Sequence, residues 1–145
     1  MTNIVLVLSG PNLNLLGDRE PEVYGTESID DHIATFTRGL EGAAEVEHLQ
    51  SNHEGELVEA IHAARGRCAG IVINPGAFTH YAWAIHDALA AFDGPIVEVH
   101  LSNPNAREPW RHTSVVSPVA TGSIVGFKGG SYGLAGHAMK KLLGG

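Results

Sequence analysis

The stretch that decides the fold is NIVLVLS, residues 3–9, an unbroken apolar run rich in β-branched side chains. Such a run is typical of a strand that is covered on both faces. Ala69–Ile73 and Pro95–His100 repeat the pattern further along the chain. The stretches between these runs are amphipathic and of helix length, so strands and helices alternate.

Periodicity and capping signals predict the remaining elements. Apolar residues at helical spacing indicate a helix over Ile29–Leu40, where Ser28 and Asp31 form a capping box. Further helices are predicted over Glu54–Arg65, Thr79–Phe92 and Ser131–Leu143, and further strands over Ala44–Gln50, Ser114–Val119 and Ser123–Val125. Ser51 or Asn52 is expected to cap the helix from Glu54, and two internal glycines are expected to weaken the helix from Ser131.

This alternation with short connections predicts right-handed crossovers and a parallel sheet with helices on both faces. Five strands in 145 residues fit an α/β, flavodoxin-like three-layer fold with strand order 2-1-3-4-5, in a single domain over residues 1–145. Ligands bind such sheets outside the carboxyl ends of the strands. The functional residues should therefore follow Ser9, Ile73 and Val99.

Composition narrows the class of protein. Nine basic and sixteen acidic residues give a formal net charge of −7, which argues against non-specific nucleic-acid binding and against an anionic membrane surface. The apolar runs are too short to span a bilayer, and no basic-then-apolar leader opens the sequence. The lone Cys68 cannot form an internal disulfide. We expect a cytoplasmic protein with no nucleic-acid or membrane partner.

The connection after the first strand, residues 10–27, is far longer than the roughly 2–6 residues usual between a strand and a helix. It could be a solvated surface loop whose leucines form a local plug. It could instead be a lid that carries Arg19 and Tyr24 between glycine hinges. It contains neither a dinucleotide-binding nor a P-loop glycine pattern, which disfavours nucleotide binding.

Polar side chains follow the other two buried strands. Asn74 could tie together the Asn-Pro-Gly turn, with Thr79 as a helix N-cap, or it could stabilise a developing negative charge. Glu98 and His100 share one face of their strand, either as a structural ion pair or as an acid–base pair, and the position at the sheet edge favours the latter. The next loop holds two arginines four residues apart, which are either surface charges or an anion clamp.

The chain has nine histidines, of which His80 and His100 lie at the functional edge. No third ligand at metal spacing joins them, so a zinc site is not expected. His32, His48, His53 and His62 are interpreted as solvated structural residues.

Taken together, these motifs resemble type II 3-dehydroquinate dehydratase, and the resemblance covers nearly the whole chain. The segments that carry it are Gly10–Asn14, Arg19–Gly25, Gln50–Gly55, Asn74–His80, Glu98–Asn103 and Ala120–Gly122. The resemblance implies a lyase that dehydrates 3-dehydroquinate reversibly to 3-dehydroshikimate. The elimination would be anti, through an enol or enolate, without metal or organic cofactor, in the shikimate pathway or in quinate breakdown.

The resemblance also implies roles for individual residues. Tyr24, ionised beside Arg19, would be the base; Asn74 would stabilise the enolate through a held water; and His100, oriented by Glu98, would be the acid. The substrate would be bound by Asn12, Gly76, His80, Asp87, Leu101, Ser102, Arg107 and Arg111. Asp87 would reach in from a neighbouring subunit of a homododecamer built from trimers.

Three positions depart from the family pattern, namely Tyr81–Trp83 after the Thr-His pair, His86 before Asp87, and Asn105 two residues before Arg107. They bear on the subunit contact and on the arginine loop rather than on the proposed acid and base. Two other classes of function stay open at this point. One is a non-catalytic binding module for a small ligand or phosphate, which bound FMN or nucleotide would favour, and the other is a metal hydrolase built on the histidines.

Overall fold

A computed structural model of the chain describes residues 3–144. Five parallel strands form one sheet in the order β2-β1-β3-β4-β5, as predicted. The strands are β1 (Ile4–Ser9), β2 (Glu45–Gln50), β3 (Gly70–Asn74), β4 (Ile96–His100) and β5 (Gly122–Val125). The helices are α1 (Pro21–Tyr24), α2 (Ile29–Leu40), α3 (Glu54–Ala64), α4 (Trp83–Ala90) and α5 (Gly130–Leu142).

Two apolar cores lie on opposite faces of the sheet. The core beneath α2 and α5 takes alternate residues of the central strands, such as Val5 and Val7, while Leu6 and Leu8 of the same strand face α3 and α4. β1 and β3 are almost completely buried, as expected for central parallel strands. On the edge strand β2, Val46 and Leu49 are half-buried on opposite faces.

Helix α2 begins at the predicted capping box. The Ser28 hydroxyl accepts from the Asp31 N–H, and the Asp31 carboxylate accepts from the Ser28 N–H. The predicted cap of α3 is wrong, because the helix begins after His53 and no side chain caps it. The Ser51 hydroxyl instead accepts from the His53 N–H in the turn that precedes the helix.

The glycines of α5 allow close packing rather than simply weakening the helix. A Cβ atom at Gly136 would lie 2.3 Å from the Phe36 carbonyl oxygen, and one at Gly39 would lie 2.5 Å from the Gly133 carbonyl oxygen. Helices α2 and α5 therefore touch backbone to backbone, which only glycine permits.

Two predicted elements differ in the structure. The helix predicted from Thr79 begins at Trp83, because residues 76–80 form a 3₁₀ turn and the Thr79 hydroxyl donates to a buried carboxylate instead of capping. The strand predicted over Ser114–Val119 is wrong. Its backbone folds around the Ser114 hydroxyl, which accepts from two following N–H groups, and the segment ends in a 3₁₀ turn at Ser117–Val119.

The interpretation of His32 and His48 as solvated is also wrong. His32 is fully buried, stacks on Tyr132 at a centroid distance of 5.1 Å, and has no hydrogen-bond partner for either ring nitrogen. His48 is half-buried, and its Nε2 lies 2.8 Å from the Ser9 hydroxyl. None of the helices within residues 3–144 combines the length and the apolar character needed to cross a membrane.

Candidate active site

A cleft opens at the carboxyl edge of the sheet, where the loops after β1, β3 and β4 meet. It encloses about 570 Å³, part of it at the open mouth. Its lining residues are Pro11, Asn12, Leu13, Arg19, Tyr24, Asn74, Gly76, Ala77, His80, His100, Leu101, Ser102, Pro104, Arg107 and Arg111. None of these described residues is acidic and three are arginines, so the cleft suits an anionic ligand.

Two glycines bring the loops after β1 and β3 together. The Gly10 N–H donates to the Asn74 carbonyl at 2.8 Å, and a Cβ atom at Gly10 would lie 2.3 Å from the Pro75 carbonyl oxygen. Gly76 has a φ of 58°, and a Cβ there would lie 3.1 Å from the Pro11 carbonyl oxygen. The floor of the cleft is therefore backbone in close contact, which leaves no room for larger residues at these two positions.

The long segment after β1 is folded over this floor. Leu13 and Leu16 are buried, as the plug interpretation expects, but Leu15 is 47% exposed. A four-residue helix, α1, begins with a proline at its first position and ends at Tyr24, whose side chain is buried. The proposal that glycines make this segment a hinged lid stays a prediction.

Two guanidinium groups surround Tyr24. Arg107 donates a hydrogen bond to the phenolic oxygen at 3.0 Å and lies 3.3 Å from the Ser102 hydroxyl. Arg19 lies over the face of the phenol ring, 4.7 Å from its centroid, and pairs loosely with Glu20 at 3.6 Å. Arg107 thus contacts the oxygen of Tyr24 directly, while Arg19 contributes its charge from the ring face.

Asn74 is the last residue of β3 and is nearly fully buried. Its Oδ1 accepts from the Gly76 N–H at 3.2 Å, and its Nδ2 donates to the Tyr132 hydroxyl at 3.2 Å. An amide held in this way has one N–H left to donate.

His100 and Glu98 lie on the face of β4 that is turned towards α3 and α4. His100 Nε2 is 2.6 Å from Glu98 Oε2, and the carboxylate also accepts from the hydroxyls of Thr79, Ser114 and Ser117. Burial alone would raise the pKa of Glu98, but the hydrogen bonds and the His100 charge outweigh burial and hold that pKa below its ordinary value. Glu98 is therefore an anion that lies behind His100, outside the lining of the cleft.

His80 and Arg111 form the outer wall. His80 Nδ1 lies 2.7 Å from the Thr113 carbonyl oxygen, and burial lowers the pKa of His80. A neutral ring that donates from Nδ1 leaves Nε2 as an acceptor. Arg111 donates to the Glu108 carboxylate at 2.8 Å and stacks over Trp110 at 4.0 Å.

Most of the predicted site residues line this one cleft. Two do not: Glu98 lies behind His100, and Asp87 is exposed on α4, away from the cleft of its own chain. Sequence reasoning missed the three hydroxyls around Glu98, and it missed Tyr132 beside Asn74. These residues lie between 16 and 58 positions from their partners, and no spacing signal connects them. Within residues 3–144, no three His, Cys, Asp or Glu side chains are grouped to hold a metal ion.

An imidazole held by a buried carboxylate and a phenol held by a guanidinium equip this cleft for proton transfer, which defines the molecule as an α/β acid–base enzyme. A protein-family model described as dehydroquinase class II matches residues 3–140. The chain belongs to the class II dehydroquinase family.

Individual relatives resemble the chain over nearly their whole length. The 3-dehydroquinate dehydratase 2 of Pseudomonas putida is 52% identical, over 99% of this chain and 97% of the relative. The catabolic 3-dehydroquinase of Aspergillus clavatus is also 52% identical, over 92% and 88% of the two chains. The crystal structure of the type II dehydroquinase from Butyrivibrio crossotus is 44% identical and superposes with a TM-score of 0.89 over 97% of each chain.

Proposed function

We propose that the chain dehydrates 3-dehydroquinate to 3-dehydroshikimate by reversible anti elimination through an enol or enolate. Membership of the class II dehydroquinase family supports this reaction, in the shikimate pathway or in quinate breakdown. One observation carries the assignment of residues: a guanidinium-bound phenol and a carboxylate-bound imidazole line the same cationic cleft.

Tyr24 is the proposed base. A phenol is a poor base near neutral pH unless neighbouring cations favour its ionised form. The hydrogen bond from Arg107 stabilises a phenolate directly, and Arg19 adds a second positive charge across the ring. The phenolate removes the proton from the carbon next to the ketone, and the electron pair of that C–H bond moves onto the carbonyl oxygen as the enolate.

Asn74 is proposed to stabilise the charge on that oxygen through a held water. Its remaining N–H can donate towards the cleft, because the other polar contacts of the amide are made inside the protein. The enolate oxygen then re-forms the ketone, and the electron pair of the enolate C=C bond forms the new double bond to the β-carbon as the bond from that carbon to its hydroxyl breaks.

His100 is the proposed acid. As an imidazolium it donates from Nε2 to Glu98, which leaves the Nδ1 proton for the departing hydroxyl. Glu98 keeps this ring oriented, so its role is to position the acid. Water leaves, and the conjugated enone remains.

The substrate carboxylate is proposed to bind Asn74 and the backbone at Leu101 and Ser102. The ring hydroxyls are assigned to His80 and Arg111, and to Asp87 of a neighbouring subunit. Asn12 and Gly76 shape the pocket. An acceptor nitrogen on His80 supports its part in this arrangement.

We further propose that residues 1–145 form one catalytic domain of a cytoplasmic homododecamer built from trimers. The exposed position of Asp87 on α4 is compatible with a role in a neighbouring pocket. Tyr81, which precedes α4, and Trp83, its first residue, are 60% and 62% accessible in the single chain. Such large exposed apolar side chains support the proposal that this surface is buried between subunits. Sedimentation should give a mass of twelve chains, and a fully active monomer would refute this proposal.

The test of the assigned base is Tyr24→Phe. With 3-dehydroquinate, the wild type should generate the ultraviolet absorbance of the conjugated enone. Tyr24→Phe should lose at least about a thousandfold in kcat, which is within the range that general bases contribute, and should still bind the substrate. Thr37→Val, which removes an exposed hydroxyl on α2, is the control and should retain wild-type turnover. Turnover by Tyr24→Phe near the wild-type rate would exclude Tyr24 as the base.

A further inference from the structure

The Asn74 amide is held by two hydrogen bonds inside the protein. Asn74 Nδ2 donates to the Tyr132 hydroxyl at 3.2 Å, and Asn74 Oδ1 accepts from the Gly76 N–H at 3.2 Å. Tyr132 reaches Asn74, the last residue of β3, from α5. We propose that Tyr132 is a positioning residue that, together with the Gly76 N–H, fixes which end of the Asn74 amide faces the substrate.

Tyr132 is itself rigidly placed. It is fully buried, and its ring stacks on His32 with planes 11° apart. Burial raises the pKa of Tyr132 to about 12, so the hydroxyl keeps its proton throughout the neutral range. Tyr132 therefore acts as a neutral hydroxyl that both accepts and donates, and it cannot serve as a second base.

The Gly76 N–H sets the orientation in which Tyr132 holds the amide. In the flipped orientation, Nδ2 would face the Gly76 N–H, which is also a donor, so this hydrogen bond would be lost. The observed orientation leaves an N–H, rather than a carbonyl oxygen, for the developing negative charge in the cleft.

The inference rests on the proposed role of Asn74 and is tested by a double-mutant cycle between Tyr132→Phe and Asn74→Ala. Tyr132→Phe should lower kcat by about two- to tenfold, the range for loss of one buried hydrogen bond, with a smaller change in KM. In the Asn74→Ala background the same substitution should have no further effect on kcat. Equal losses in both backgrounds, or no loss in either, would overturn the inference.

Thr37→Val, which removes a hydroxyl from the exposed face of α2, is the control and should leave kcat unchanged in both backgrounds. If Asn74→Ala itself has wild-type kcat, the proposed role of Asn74 is what fails. If Asn74→Ala is impaired and Tyr132→Phe is not, only the positioning inference fails.

Discussion

Replacing Glu98 by glutamine removes one negative charge from behind His100 and changes little else. The side chain keeps its size, and the hydroxyls of Thr79, Ser114 and Ser117 can reorient to bond an amide. The His100 ring, however, loses its hydrogen bond to a carboxylate at 2.6 Å. We therefore expect the proposed acid to be held less firmly in the orientation that it needs.

The size of the effect follows from that contact. A hydrogen bond to a charged group contributes about 1.5–3 kcal/mol, and a loss of about 2 kcal/mol in the step that the bond supports corresponds to about thirty-fold in rate. In Glu98→Gln, kcat should therefore fall by about thirty-fold, and KM should change little because Glu98 does not line the cleft.

The measurement is the initial rate of enone formation as a function of 3-dehydroquinate concentration. Glu47→Gln is the matched control, since Glu47 is an exposed carboxylate on β2 that is paired with Arg67. That control should leave kcat and KM unchanged. Wild-type kcat in Glu98→Gln would show that the carboxylate does not support the acid.

Two further predictions concern stability. Burial lowers the pKa of His32 below its unfolded value of about 6.5. Because the unfolded state then binds more protons at low pH, the free energy of unfolding should fall as the pH drops through about 6.5. His32→Leu should reduce this loss in urea unfolding, and an unchanged pH dependence would contradict the prediction. Gly136→Ala should destabilise the protein by about 1–3 kcal/mol through overpacking, although alanine has the better helix propensity. Gly55→Ala, at an open helical site, should instead stabilise the protein by about 0.5–1 kcal/mol. Equal effects of the two substitutions would refute the close packing of α2 on α5.

The sheet and its functional edge could be predicted because they depend on local patterns. The buried strands are continuous apolar runs, and their order follows from the alternation with helices. The residues that follow Ser9, Ile73 and Val99 were expected at one edge for the same reason, and the cleft does lie there. The capping box of α2 is likewise a short-range signal that folded as predicted.

Three of the wrong predictions share a cause, which is that a distant partner overrides the local signal. Thr79 has the right chemistry for a helix cap, but its hydroxyl bonds a carboxylate 19 residues away. Ser114 has strand-like neighbours, yet its hydroxyl folds the backbone around itself and bonds the same carboxylate. His32 looks like a surface residue of an amphipathic helix, and only the approach of α5 buries it against Tyr132. None of these contacts leaves a trace in residue spacing.

The alternation of side chains along the strands also bears on how the enzyme would reset between turnovers. Tyr24 packs with the core beneath α2 and α5, while His100 and Glu98 belong to the face of the sheet beneath α3 and α4. In the proposed mechanism, the phenol holds an extra proton and the imidazole lacks one after each forward reaction. Since the two groups approach the ligand from different sides of the sheet edge, we expect the proton to return through solvent after the product leaves. The rate at which the resting protonation state is recovered would then change with buffer concentration and in deuterated water, independently of the bond-breaking steps.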